Sequence, residues 1–158
     1  MIEQAIREQL AAALRGGQAH APWRPILTGV PVALRGKRPR GLAHSPWELL
    51  EHLRLAQWDI LEFCRNPGHI SPDFPAGYWP RTAAPPNAAA WAKSVRAFAA
   101  ELEAMAALVL DPAVDLTAPI PHGQGQTIMR EALLVVDHNA YHLGQMVAVR
   151  RLLGAWRG

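Results

Sequence analysis

Two histidines lie four positions apart near the end of the chain, at His138 and His142. Positions four apart differ by about 40° around an α-helix, so both imidazoles project from the same face. The rest of that face is apolar and includes Val135 and Val149. Because a buried polar group without a hydrogen-bond partner costs about 1–3 kcal/mol, these two imidazoles need partners inside the fold.

A third histidine also lies on an apolar helix face, in an earlier segment of the chain. His52 lies within an apolar stripe, listed as Leu49, Leu53, Ala56, Ile60 and Phe63. One metal ion would give all three imidazoles a common partner, and three histidine ligands leave a coordination position open for water or substrate. One divalent ion on His52, His138 and His142 is therefore one interpretation of the pattern, although the pattern does not show whether the two helices face each other. Zinc is the first expectation, with nickel, iron and manganese as alternatives.

Simpler interpretations of the same residues stay open at this point. His52 can be a core histidine bonded to a backbone carbonyl, and His138 and His142 can form a hydrogen-bonded pair or a surface metal clamp. Cys64 is the only cysteine, which excludes an internal disulfide framework and an all-cysteine zinc site. We expect Cys64 to be a small core residue, since no basic partner is placed beside it.

Two further side chains are candidates for contact with a substrate. Gln145 shares a helix face with His138 and His142 and can bond a ligand or a bound water. His122 lies in a segment rich in proline and glycine just before the last helix, where it can be a fourth ligand, a general base or a loop residue. We expect Gln145 and His122 to be the catalytic residues that steer the substrate. Glu48 can orient His52, although a helix-capping role already explains it.

Four segments have the apolar spacing of amphipathic helices, and no strand is convincing. The predicted helices cover residues 1–15, 45–65, 88–109 and 127–153, with helix caps predicted at Ser45, Asn87 and Thr127. Four such helices without a sheet predict an all-α four-helix bundle. The long connections are rich in proline and carry Trp23, Tyr78 and Trp79, so we expect ordered loops packed on the bundle.

Composition narrows the remaining classes of protein. The chain of 158 residues fits a single domain spanning 1–158, and its net charge is only +3. No basic stripe interleaved with aromatic residues is present, so nucleic-acid binding is not expected. No uncharged apolar run approaches the length of a membrane span, and no targeting segment is visible. We therefore expect a cytoplasmic protein without a membrane partner.

Two stretches of the sequence resemble the DinB-like superfamily. One is HSPWELLEHL, which covers 44–53 and contains His52, and the other is DHNAYHLGQ, which covers 137–145. The order of the elements is also similar, with one histidine in the second helix and a His-x-x-x-His pair in the last. The resemblance implies a four-helix bundle with a long crossover between helices two and three, and a divalent metal on His52, His138 and His142.

The resemblance also implies an activity. Members often form homodimers, and characterised relatives include metal-dependent thiol S-transferases and a mycothiol-dependent isomerase. The expected function is therefore activation of a small-molecule thiol for attack on an electrophile. A metal-dependent hydrolase, a non-catalytic stress protein that binds a metal or small ligand, and a purely structural bundle are the alternatives.

Overall fold

Helices account for all the regular secondary structure of the computed structural model, which describes residues 1–156. Residues 157 and 158, which the predicted domain includes, lie outside the described residues. The α-helices are α1 (Ile2–Arg15), α2 (Trp23–Thr28), α3 (Pro46–Arg65), α4 (Ala88–Leu110) and α5 (Ile128–Leu152). Two 3₁₀ turns cover Val32–Leu34 and Ala76–Tyr78. The four predicted helices are confirmed, and α2 is an addition that the sequence pattern did not predict.

The crossover between α3 and α4 follows from the direction of these two helices. Trp47 lies beside Trp91 with ring centroids 6.4 Å apart, and further along both helices Gln57 donates to the carbonyl of Phe98 at 2.8 Å. The two helices are therefore parallel. A helix of 20 residues is about 30 Å long, so the chain must return over that length before α4 begins. Residues 66–87 make this return, as the resemblance implied.

The other two long helices, α1 and α5, run antiparallel to this pair. Asn139 of α5 donates to Gln57 of α3 at 2.8 Å, and α5 runs antiparallel to α3. Helix α1 runs antiparallel to α4, since Arg7 bonds the carbonyl of Val109 near the end of that helix. Helix α4 packs between α1 and α3, while α5 packs against α3 and α1. The bundle therefore has the order up, down, down, up.

The predicted caps fix where three of the helices begin. The Ser45 hydroxyl accepts from the Glu48 backbone N–H at 3.2 Å, and the Glu48 carboxylate accepts from the Ser45 backbone N–H at 2.8 Å. This is the reciprocal capping box that the sequence predicted. The side chains of Asn87 and Thr127 likewise accept from backbone N–H groups at the starts of α4 and α5. His52 follows the Ser45 cap by seven residues, so the cap fixes the position of His52 along the bundle axis.

The apolar stripes that frame the histidines are buried. Leu49 and Leu53 on α3 and Val135 and Val149 on α5 are almost inaccessible to solvent. Burying side chains of this kind contributes about 1.5–3 kcal/mol each to folding. Between residues 1 and 156, no helix has both the length and the apolar character needed to cross a membrane.

Candidate metal centre

The antiparallel packing of α3 and α5 brings the three predicted histidines together. The Nε2 atom of His52 lies 3.1 Å from Nε2 of His142 and 3.0 Å from Nε2 of His138. One ligand atom from each residue lies within 4.8 Å of the other two. Within residues 1–156, three metal-binding side chains lie close enough together to hold one ion, and all three are these histidines. The structure thus brings the three predicted residues together in a cluster that could hold a metal ion.

The outward nitrogens show why these imidazoles fit a cation. Nδ1 of His52 lies 3.0 Å from the carbonyl oxygen of Tyr78, which can only accept, so this nitrogen carries the hydrogen. Nδ1 of His142 lies 2.7 Å from Oε1 of Gln145 and donates to it in the same way. A neutral imidazole has one N–H, so the lone pairs on Nε2 of His52 and His142 face each other. A metal ion held by these residues would turn that repulsion into coordination.

Burial keeps the three imidazoles neutral near pH 7. It lowers the pKa of His52 to about 4, and the charges that His142 and His44 would carry lower it further. Burial also lowers the pKa of His138 to about 3, helped by the neighbouring His142 and His52. The pKa of His142 is lowered chiefly by burial as well. Neutral imidazoles are the form that binds metal, so protons compete little with a metal ion at physiological pH.

Aromatic residues outside the predicted site form its walls. Trp79 in the crossover stacks on His52, with ring centroids 3.9 Å apart and planes 1° apart, and its edge approaches His142 at 6.3 Å. His44 also stacks on Trp79, with centroids 4.0 Å apart. The sequence predicts that Trp79 packs on the bundle but assigns neither Trp79 nor His44 to the site. The aromatic pair Tyr78–Trp79 in a proline-rich loop was the available signal.

The two predicted catalytic residues lie in different places. Gln145 is at the centre, where it holds His142 through Nδ1. His122 is at the opposite end of α3, where its Nε2 lies 2.6 Å from the carbonyl oxygen of Phe63. Phe63 follows His52 by eleven residues, which corresponds to about 16 Å along the helix axis. The structure therefore does not bring His122 to the metal centre.

The remaining candidates have structural partners. The Glu48 carboxylate binds the Ser45 backbone and pairs with Arg38, so it is engaged in the capping box and not with His52. Cys64 is buried, and burial raises the pKa of its thiol to about 12, which keeps it protonated. His20 lies at the surface and its Nδ1 bonds the carbonyl of Ala21.

A cavity of about 260 Å³ opens one helical turn from the histidines. Its walls come from the segment before α3 and from the facing sides of α3 and α5, and are mostly apolar. The lining residues are Leu42, Ala43, His44, Leu49, Gln145, Ala148 and Val149. Gln145 is thus shared between the cavity and the support of His142. The position suits the apolar part of a small molecule held next to the three histidines.

The fold and the centre together define a helical bundle with a three-histidine cluster that can hold a metal ion. A family model, that of the DinB superfamily, matches residues 7–146, a range that includes His52, His138, His142 and Gln145. The chain therefore belongs to the DinB superfamily. Neither the curated proteins nor the solved structures gave a significant match to the chain.

Proposed function

We propose that this chain is a metal-dependent enzyme that activates a small thiol at His52, His138 and His142 for attack on an electrophile. The observation that carries the proposal is the convergence of three neutral imidazoles, with the Nε2 lone pairs of His52 and His142 facing each other at 3.1 Å. Three protein ligands leave an open position of the kind that catalytic metal sites keep. Zinc suits this all-nitrogen ligand set, and nickel, iron or manganese are the alternatives.

The reaction needs only a positive charge and a held electrophile. A free thiol has a pKa near 8.5, and a divalent ion bound to the three histidines would supply the charge that deprotonates a coordinated thiol at neutral pH. The proton would pass to water. The thiolate sulfur would then form a bond to the electrophilic carbon, and the leaving group would depart with the electron pair of the bond that breaks.

The protein's own contribution is orientation and exclusion of water. The Tyr78 carbonyl and Gln145 fix the His52 and His142 rings, and Trp79 covers one face of His52. The cavity beside Gln145 can hold the apolar part of the electrophile within reach of the sulfur. Holding two reactants in contact removes much of the entropic barrier to a bimolecular reaction.

The test is conjugation of a reactive electrophile with bacillithiol, mycothiol, glutathione or cysteine, with and without added metal. The rate should rise with metal and fall to background in His138→Ala. His20→Ala is the matched control, because it removes a surface histidine and should keep the wild-type rate. If the fully metallated protein turns over no thiol but hydrolyses an ester, the hydrolase alternative replaces this proposal. If neither reaction occurs across a broad panel, a metal-binding or ligand-binding role is the better account.

We also propose that the chain forms a homodimer. Large apolar side chains on α1 and α5 are exposed, including Ile2, Ile6 and Leu133. They border an almost wholly apolar groove of about 480 Å³. A patch of this kind on a protein surface is typical of an interaction site.

A further inference from the structure

A second cluster ties the crossover to α3. Asp59 is buried, with 8% of its surface exposed, and its carboxylate bonds two residues of the crossover. Oδ1 lies 2.7 Å from Nε2 of His69, and Oδ2 accepts from the Tyr78 hydroxyl at 2.7 Å. A buried carboxylate is costly unless it is well bonded, and these contacts provide its partners. Asp59 therefore holds two separate points of the crossover against one helix.

The same crossover residue also supports the metal centre. The backbone carbonyl of Tyr78 accepts from Nδ1 of His52, and the next residue, Trp79, stacks on the His52 ring. His52 and Asp59 lie seven positions apart on α3, which places them two turns apart on one face. Tyr78 therefore bonds α3 at two points, through its carbonyl to His52 and through its hydroxyl to Asp59.

We propose that Asp59 and Tyr78 form a latch that positions His52 for metal binding without contacting the metal. The latch holds the Tyr78 carbonyl where it fixes both the tautomer and the ring orientation of His52. Outer partners of metal-binding histidines typically contribute about 10–100-fold in affinity. Because the latch acts one step further out, we expect a loss of about threefold to tenfold in metal affinity when it is broken. The inference rests on metal binding by the three histidines.

The direct test is the zinc dissociation constant, measured by competition with a chromophoric chelator. Tyr78→Phe keeps the ring and the backbone carbonyl but loses the hydroxyl, so it should bind zinc about threefold to tenfold more weakly. Tyr141→Phe is the matched control, since Tyr141 is mostly exposed and should bind zinc like the wild type. Asp59→Ala should weaken binding similarly. The double variant should bind zinc no more weakly than the more affected of the two single variants, because both changes break the same latch.

A purely structural role is separated by two further measurements. Val109→Ala, in the core of α4, should lower the free energy of unfolding without changing zinc affinity. In metal-free protein, Asp59→Ala should speed amide hydrogen exchange of Gly77, Tyr78 and Trp79, whose N–H groups are bonded within the crossover. Wild-type zinc affinity in Tyr78→Phe, or unchanged exchange in Asp59→Ala, would overturn the latch. If the wild-type protein binds no zinc while exchange still responds, the metal proposal fails and the mechanical coupling stands.

Discussion

At the scale of single residues, the nitrogen that each histidine turns away from the centre is as informative as the one that faces it. The outward Nδ1 atoms of His52 and His142 donate to Tyr78 and Gln145, which leaves both Nε2 lone pairs directed inward. Two facing lone pairs are unfavourable in an apolar interior, and either a cation between them or an N–H donated by Nε2 of His138 would relieve the repulsion. The hydrogen bonds of the outward nitrogens therefore direct two acceptor atoms to the place where a cation would bind.

Gln145 can be tested as the support of His142. Gln145→Leu keeps the size of the side chain but removes the acceptor for Nδ1, so we expect zinc affinity to fall about tenfold or more. Gln145→Glu keeps an acceptor at this position and should retain affinity close to the wild-type value. Chelator competition gives both dissociation constants. Equal affinity of Gln145→Leu and the wild type would show that the contact with His142 has no part in metal binding.

Glu101 predicts a dependence of stability on pH. Burial raises the pKa of this carboxyl to about 7 from an ordinary value near 4.5. Between about pH 4.5 and pH 7, the folded protein therefore keeps a proton on Glu101 that the unfolded chain has released. This group makes the free energy of unfolding fall as the pH rises through that range. Glu101→Gln should remove that component. At pH 8 the variant should be about 1–2 kcal/mol more stable than the wild type, a figure reduced for partial contact with water.

Urea unfolding at pH 4 and at pH 8 measures this effect. The wild type and Glu101→Gln should have similar free energies of unfolding at pH 4, where the carboxyl is mostly protonated in both states. An equal difference at the two pH values would contradict the assignment of the raised pKa to Glu101.

At the scale of elements, the capping box of α3 sets the height of His52. Ser45 caps the helix and also donates from its hydroxyl to the Ala83 carbonyl at the end of the crossover. We expect Ser45→Ala to lower the free energy of unfolding by about 1–2 kcal/mol, as measured in urea. Thr82→Ala, which removes an exposed loop hydroxyl, is the control and should change stability by less than about 0.5 kcal/mol. A loss in Ser45→Ala no larger than in this control would show that the cap is dispensable.

Much of the arrangement could be predicted because it depends on local sequence. The caps at Ser45, Asn87 and Thr127 are formed by side chains three residues or fewer from the backbone groups they bond, so the sequence shows them directly. The i, i+4 spacing of His138 and His142 likewise places both on one face before any tertiary structure is known. Placing His52 opposite them required the family resemblance, since no local pattern shows which helices face each other.

The contacts of the loops could not be predicted because they join residues that are far apart in the sequence. Tyr78 reaches His52 across 26 positions in sequence, and His122 reaches Phe63 across 59. Such contacts depend on the path that a loop takes over the finished bundle. Short spacing on a helix carries no information about that path. For this reason the sequence reveals neither the stacking of Trp79 on His52 nor the contacts of Asp59, and it does not show that His122 lies away from the centre.

At the scale of the whole molecule, the parallel pair α3 and α4 explains why the crossover is long and passes close to the three histidines. Returning along α3, residues 66–87 must pass the helix that carries His52, and Tyr78 and Trp79 contact that histidine on the way. The topology therefore brings a loop to the centre as well as two helices. A wall contributed by a loop can differ among proteins that keep the same ligands.

The proposed homodimer can be tested at this scale. Leu133→Glu puts a charge into the exposed apolar groove between α1 and α5, where burial in an interface would be costly. Light scattering coupled to gel filtration should show a dimer for the wild type and a monomer for this variant. Leu152→Glu, at an exposed position outside that groove, is the control and should stay dimeric. A monomeric wild type at micromolar concentration would contradict the homodimer.

The central claim is that His52, His138 and His142 bind one divalent metal ion, and metal analysis of protein purified without an affinity tag tests it most directly. The tag must be absent because a histidine tag binds nickel. Elemental analysis by mass spectrometry should find about one equivalent of a divalent metal per chain, with zinc as the expected ion. In the variant with all three histidines replaced by alanine, the metal should be lost while the helical dichroism spectrum remains. Stoichiometric metal in that variant, or none in wild-type protein dialysed against zinc, would contradict the claim.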